Sequence, residues 1–107
     1  MNLPRYVVLH HTGWEEDHYD LLLELTPDGP LESWRVSDWP PTAGSAYRLN
    51  APHRRLYLDY EGEISGNRGH VRRVATGTYR ELRENQQRII VLTDRKLSIM
   101  LPVPAQG

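Results

Sequence analysis

Short apolar runs alternate with turn residues along the chain, and this pattern predicts β-strands rather than helices. The predicted strands cover residues 5–10, 18–25, 31–36, 54–60, 71–75, 78–82, 88–93 and 96–101. A tight hairpin at Asp94-Arg95 is predicted to join the last two strands. Residues 80–87 contain helix formers but lack the apolar periodicity of an amphipathic helix. The pattern therefore predicts an all-β fold, a small antiparallel β-barrel of about eight short strands with little helix.

Length and composition narrow the classes of protein that this chain can be. Its 107 residues predict a single domain over 1–107. The net charge of -1 excludes a globally basic surface for nucleic acid, although the basic residues are clustered. Cysteine is absent, so a metal site must use His, Asp or Glu. No apolar run suits a signal peptide or a membrane span, so a cytoplasmic protein without a membrane partner is expected. A monomer is also expected.

The second predicted strand, HYDLLLEL, opens with a histidine and an aspartate that point the same way. Side chains alternate along a strand, so His18 and Asp20 share one face. The opposite face, which is the expected core face, carries Tyr19, Leu21, Leu23 and Leu25. His11 ends the first strand, and a hairpin-like connection would bring it to the pair. Two histidines and one carboxylate suit Mn, Fe or Zn and leave coordination positions open. The alternative is a solvent-exposed polar strand face.

The order of residue types from 6 to about 79 resembles the 3′-phosphoesterase domain of bacterial DNA ligase D. The matching segments are, in chain order, YVVLHH, HYDLLLEL, LESWRV and a histidine four residues before a tyrosine, with YEG close behind. A glycine-rich turn, a valine-led strand and a Gly-Thr-Tyr segment follow in the same order. The resemblance implies a barrel core. It also implies a manganese-dependent phosphoesterase that trims 3′-phosphates and terminal ribonucleotides from primer ends in DNA repair.

The resemblance assigns roles to individual positions of this sequence. The implied metal is Mn²⁺, or another divalent ion such as Zn²⁺, and its implied ligands are His11, His18 and Asp20. His53 matches the histidine that contacts the scissile phosphate, and Tyr57 matches a catalytic tyrosine beside it. Glu24 matches the glutamate of the second-strand motif, behind the ligands. Such a set could polarise a phosphoryl oxygen through the metal while an imidazole protonates the leaving group.

The chain departs from the family pattern at the phosphate contact. Leu22 takes the place of an arginine that clamps phosphate, and Leu9 takes the place of a glutamine. If a strand begins by His53, then Arg55 shares its face with Tyr57 and is predicted to bind the phosphate instead. Alternatively, His53 lies in a loop and Arg55 is solvated. The connection from His11 is one residue longer than in the family, and the charged arm that precedes the family's first strand is expected to be absent. The chain is therefore expected to be a minimal, free-standing member.

Further arginines surround His53 and the glycine-rich turn, and they could bind a nucleic-acid backbone or form a solvated strand face. They are Arg48, Arg54, Arg68, Arg72 and Arg73. Two functions stay open. One is a metal-dependent phosphoesterase on nucleic-acid 3′ ends, with a ligase or polymerase partner in trans. The other is a non-catalytic module that binds metal and nucleic acid and has lost hydrolysis.

Overall fold

The computed structural model describes residues 2–102, which form an antiparallel sheet curled into a half-barrel. The strands are β1 (Arg5–Thr12), β2 (His18–Glu24), β3 (Leu31–Val36), β4 (Tyr47–His53), β5 (Gly62–Glu63), β6 (His70–Glu84), β7 (Gln87–Leu92) and β8 (Leu97–Leu101). Their order in the sheet is β4-β3-β2-β1-β6-β7-β8, and β5 pairs with β6. The one helical element within the described residues is a 3-10 helix, Arg55–Leu58. The predicted all-β, barrel-like fold with little helix is confirmed.

The strands at the centre of the sheet are buried on both faces. Along β2, Leu21 and Leu23 belong to one apolar core, whereas Leu22 belongs to a second core on the opposite face. The larger core gathers side chains from β1, β2, β3, β6, β7 and β8. The prediction that the Leu21 face is the core face is thus correct, except that Leu25 lies beyond the strand and is exposed. The opposite face, predicted to lie outside the core, is also covered.

The strand predicted at 54–60 is wrong. The edge strand β4 precedes it and ends at His53, and the chain then turns into the 3-10 helix. Pro52 lies in β4, which an edge strand tolerates because one side of its backbone needs no ladder hydrogen bond. The helix inserts Leu58 into the second core and leaves Leu56 exposed. A two-residue alternation of apolar side chains therefore did not distinguish a strand from this short helix.

The two strands predicted at 71–75 and 78–82 are one long strand, β6. Gly77 lies within it, and a Cβ atom there would fall 2.8 Å from the Asp94 carboxylate and 3.1 Å from the Tyr6 ring. The glycine thus permits a close approach of side chains rather than a turn. Residues 80–87 continue β6 into a turn and are not helical. The predicted hairpin at Asp94 is confirmed, since β7 and β8 pair antiparallel across it.

Leu58 of the 3-10 helix is buried and Leu56 is exposed, so replacing each by alanine should lower the free energy of unfolding by different amounts. Leu58→Ala should lower the free energy of unfolding by about 2–4 kcal/mol, because it leaves a cavity in the second core. Leu56→Ala, two residues away and 39% exposed, is the matched control and should change it by less than about 0.5 kcal/mol. Urea denaturation of both variants measures the difference. Equal losses would contradict the packing described here.

Candidate metal site

The pairing of β1 with β2 brings His11, His18 and Asp20 together. His11 stands directly opposite His18 in the ladder, and their ring centroids are 4.8 Å apart. Asp20 places one carboxylate oxygen 3.3 Å from Nε2 of His18 and the other 3.7 Å from Nδ1 of His11. All three residues are buried, and one candidate ligand atom from each lies within 4.8 Å of the others. The group could therefore hold a metal ion, and the alternative of a solvent-exposed strand face is wrong.

Backbone carbonyls fix which nitrogen of each imidazole is free to bind a metal. Nε2 of His11 lies 2.6 Å from the carbonyl oxygen of Arg68, and Nδ1 of His18 lies 2.8 Å from that of Glu16. A carbonyl only accepts hydrogen bonds, so each of these nitrogens carries the hydrogen and donates it. The lone pairs are then on Nδ1 of His11 and Nε2 of His18, the two atoms that face Asp20. This outer support is typical of histidines that bind metal.

The groups around the His18 imidazole favour its positively charged form. Burial opposes the charged form of the His18 imidazole. The hydrogen bonds to Asp20 and to the Glu16 carbonyl, with the charge of Asp20, outweigh burial and raise the pKa of His18. The carboxylate thus attracts a cation to Nε2 of His18, and a proton and a metal ion would compete for that atom.

The triad opens onto a cavity of about 470 Å³ that also contains His53 and Tyr57. His53 is the last residue of β4, and its ring meets that of Tyr57 edge-on with centroids 5.7 Å apart. Nδ1 of His53 is 3.3 Å from the carbonyl oxygen of Ala51, which leaves Nε2 as the nitrogen without that contact. The three predicted metal ligands therefore share one cavity with His53 and Tyr57.

Four arginines line this cavity, and one of them was missed by the sequence analysis. They are Arg35, Arg48, Arg54 and Arg68. Arg35 stands opposite Asp20 in the β2–β3 ladder and opposite Arg48 in the β3–β4 ladder. Cross-strand partners point to the same face, so these three side chains form a row. Nη2 of Arg35 also donates to the Glu15 carboxylate at 3.0 Å. The strand alternation placed Arg35 on one face of β3, but only the ladder shows that this is the face of Asp20.

Arg55, predicted to bind phosphate, lies outside the set of residues that line the cavity. It begins the 3-10 helix, so the predicted strand face shared by His53, Arg55 and Tyr57 is wrong. Its guanidinium pairs with the Glu24 carboxylate and donates to the carbonyl oxygens of Thr26, at 3.0 Å, and Gly29, at 3.3 Å. Arg72 and Arg73 do not line the cavity either.

Glu24 ties the 3-10 helix to the end of β2. Besides Arg55, its carboxylate accepts a hydrogen bond from the backbone N–H of Arg5 at 3.1 Å. The helix carries Tyr57, so this ion pair supports the wall of the cavity from behind. Glu24 contacts none of the triad residues through a hydrogen bond or ion pair in the described structure. Its support is therefore indirect.

Leu9 and Leu22 replace the glutamine and the arginine of the resembled pattern, and both pack in the second core. Leu22 is fully buried in the second core, and Leu9 belongs to the same core while also lining the cavity. Leu9 stands opposite Asp20 in the β1–β2 ladder. The second core thus runs directly up to the triad and forms an apolar floor beneath it.

Comparison with known proteins adds no family assignment. No protein-family model matches the chain, and no curated protein sequence matches it significantly. The resemblance to the ligase D phosphoesterase domain therefore depends on the motifs and positions described above. Within residues 2–102, no helix has the length and apolar character that crossing a membrane requires.

The triad predicts that a divalent metal stabilises the folded protein. At a Mn²⁺ concentration of about 100 Kd, the free energy of unfolding should rise by about 2.7 kcal/mol, because the ligands assemble only on folding. His18→Ala should abolish this rise, whereas His70→Ala, an exposed histidine outside the triad, should retain it. Thermal melts with and without Mn²⁺ measure both. An equal metal response in His18→Ala and the wild type would rule out the site.

The ion pair behind the cavity predicts an acid-sensitive contribution to stability. Burial raises the pKa of Glu24, but the hydrogen bonds from Arg55 and Arg5 and their charges outweigh it, so the pKa of Glu24 lies below its ordinary value. A lowered folded-state pKa stabilises the protein above the unfolded-state pKa, and this stabilisation is lost as the pH falls through the folded-state value. Glu24→Gln should therefore cost about 1–3 kcal/mol at pH 7.

The cost of Glu24→Gln should shrink as the pH falls below about 4.5, the ordinary pKa of this carboxyl group in the unfolded chain, and should be lost once the pH passes below the lower pKa of the folded state. Denaturant titrations between pH 3 and pH 7 measure this dependence. Glu84→Gln, at an exposed position near the end of β6, is the control and should have little effect at any pH. A cost for Glu24→Gln that does not change with pH would show that the carboxylate charge is not what stabilises the helix.

Proposed function

We propose that this protein is a divalent-metal-dependent phosphoesterase that acts on the 3′ ends of nucleic acid. One observation carries the proposal: the triad, the His53–Tyr57 pair and four arginines all line a single cavity. A metal ion and several guanidinium groups around one concave site are suited to a phosphate ester. The resemblance to the ligase D phosphoesterase domain supports the same substrate class.

The chemistry follows from the residues around the cavity. When bound, a divalent ion supplies Lewis-acid polarisation of a phosphoryl oxygen and lowers the pKa of a bound water. The oriented imidazoles of His11 and His18 and the carboxylate of Asp20 hold such an ion and leave coordination positions open. His53, which lines the same cavity, donates a proton to the leaving oxygen. Tyr57 keeps the His53 ring in place through its edge-on contact.

The guanidinium of Arg35 takes the phosphate-binding role in this proposal. It stands beside Asp20 in the ladder, with Arg48 next in the row, whereas Arg55 is engaged by Glu24. Glu15 holds one amino group of Arg35, so an entering phosphate replaces that carboxylate as the acceptor. The departure at Leu22 is thereby compensated from the neighbouring strand.

The proposal also specifies the metal ion, the binding partners and the working form of the protein. Mn²⁺ is the proposed metal, with Zn²⁺ as the second candidate, because two imidazoles and a carboxylate suit both ions. Nucleic-acid 3′ ends are the proposed partners, and a ligase or polymerase would act in trans to seal or extend the trimmed end. A monomer in the cytoplasm is the proposed working form.

The test is hydrolysis of a 3′-phosphorylated primer in the presence of Mn²⁺. The wild type should convert it to a 3′-hydroxyl primer, and His53→Ala should slow this by about 100-fold or more while retaining the fold. His70→Ala serves as the matched histidine control and should react at the wild-type rate. Hydrolysis by His53→Ala at the wild-type rate would sink the assignment of His53.

The same assay separates Arg35 from other arginines. Arg35→Gln should weaken primer binding and hydrolysis without changing the Mn²⁺ response of the melting temperature. Arg72→Gln, an exposed arginine that does not line the cavity, is the control and should behave as the wild type. Equal effects of the two substitutions would remove Arg35 from the site.

A second function is favoured by one observation, the complete burial of Leu22 in the second core. No guanidinium reaches the cavity from that position, and this supports a non-catalytic module that binds metal and nucleic acid. Retained binding of Mn²⁺ and oligonucleotide, with no hydrolysis by the wild type, would favour this module over the enzyme.

A further inference from the structure

An exposed indole stands at the cavity beside the metal triad. Trp14 lies in the connection between β1 and β2, is 38% exposed and lines the cavity. One side of its ring stacks on His11, with centroids 5.6 Å apart and planes inclined by 26°. The other two tryptophans, Trp34 and Trp39, pack in or against the larger core, and neither lines this cavity. An aromatic side chain of this size costs free energy when it stays in water.

The backbone beneath Trp14 is held in place by a close approach of two glycines. Gly69 has a φ of +86°, and a Cβ atom there would fall 2.1 Å from the carbonyl oxygen of Thr12 and 3.1 Å from Cβ of Trp14. A Cβ atom on Gly13 would lie 3.5 Å from Cα of Gly69. The connection therefore packs tightly against the turn before β6. On its other side, Glu15 pairs with Arg35 at 3.0 Å.

We infer that Trp14 stacks on the base of the terminal nucleotide whose 3′-phosphate enters the cavity. The four arginines that line the cavity and the metal triad recognise a phosphate, and they would accept any phosphate monoester of suitable size. The indole adds a flat apolar surface at the same opening, and flat apolar surfaces recognise nucleobases by stacking. The stack on His11 and the close approach of Gly13 to Gly69 hold the indole in place, so binding costs little conformational entropy.

This inference rests on the proposed function for the position of the phosphate, and it narrows the substrate class. Trp14 selects nucleic-acid ends over sugar phosphates or other small phosphate esters. Stacking is tolerant of sequence because every base offers a π-face. The site is therefore expected to require a terminal base without distinguishing strongly among the four.

The experiment compares two 3′-phosphorylated oligonucleotides that differ only in the terminal residue, which is adenosine in one and an abasic tetrahydrofuran in the other. Their Kd values are measured by fluorescence anisotropy without added metal, so that the 3′-phosphate is not hydrolysed during the measurement. The wild type should prefer the base-bearing end by about 5- to 100-fold. Trp14→Leu should bring this ratio close to one, and Trp14→Tyr should retain most of it. Trp39→Leu, the same substitution at a tryptophan outside the cavity, should leave the ratio unchanged.

A second readout uses the wild-type protein, in which the contact between Trp14 and His11 is intact. Base stacking should quench part of the intrinsic tryptophan fluorescence of the wild type with the base-bearing oligonucleotide and not with the abasic one. Trp39→Tyr should keep this quenching, and Trp14→Tyr should lose it. An absent base preference in the wild type, or a preference that survives in Trp14→Leu, overturns the inference.

The two proposals fail in distinguishable ways. If the proposed phosphoesterase function is wrong, the wild type binds 3′-phosphate and 3′-hydroxyl oligonucleotides equally and hydrolyses neither. The comparison of base-bearing with abasic ends is still measured in that case, and loss of the preference in Trp14→Leu still supports Trp14 as the stacking residue.

Discussion

The register between β1 and β2 is the constraint on which the candidate site depends. It sets His11 opposite His18 and Leu9 opposite Asp20, so the three candidate ligands meet at one end of the ladder. A slip of one residue would turn every side chain of a strand to the other face. Both faces of these strands are buried, so such a slip would expose or misplace two sets of apolar side chains at once. The packing that stabilises the fold also holds the triad together.

The second core shapes the surroundings of that triad. It brings Leu9 and Leu22 up to the ligands and receives Leu58 from the 3-10 helix, which places Tyr57 at the cavity. Glu24 pairs with Arg55 and holds this helix against the end of β2. The low polarity under the triad strengthens the attraction between Asp20 and a cation. The second core thus supplies the apolar surface next to the triad, while four arginines line the cavity onto which the triad opens.

The connection between the two candidate histidine ligands joins several features of the cavity. It carries Trp14 and Glu15, which both line the cavity. Glu15 reaches Arg35 on β3, next to the aspartate of the triad. The connection therefore links the indole at the cavity to the arginine that stands opposite Asp20.

The sequence by itself determined what depends on neighbours along the chain. Alternation on β2 placed His18 and Asp20 on one face, and the absence of cysteine limited the ligand types. Only the tertiary structure decided that Arg35 joins Asp20, because a strand pattern does not specify which strand lies beside it. It likewise decided that Arg55 turns to Glu24, since the 3-10 helix is stabilised by burying Leu58 in a core built from distant strands. Local alternation is set by backbone geometry, whereas register and burial are set by packing between segments far apart in sequence.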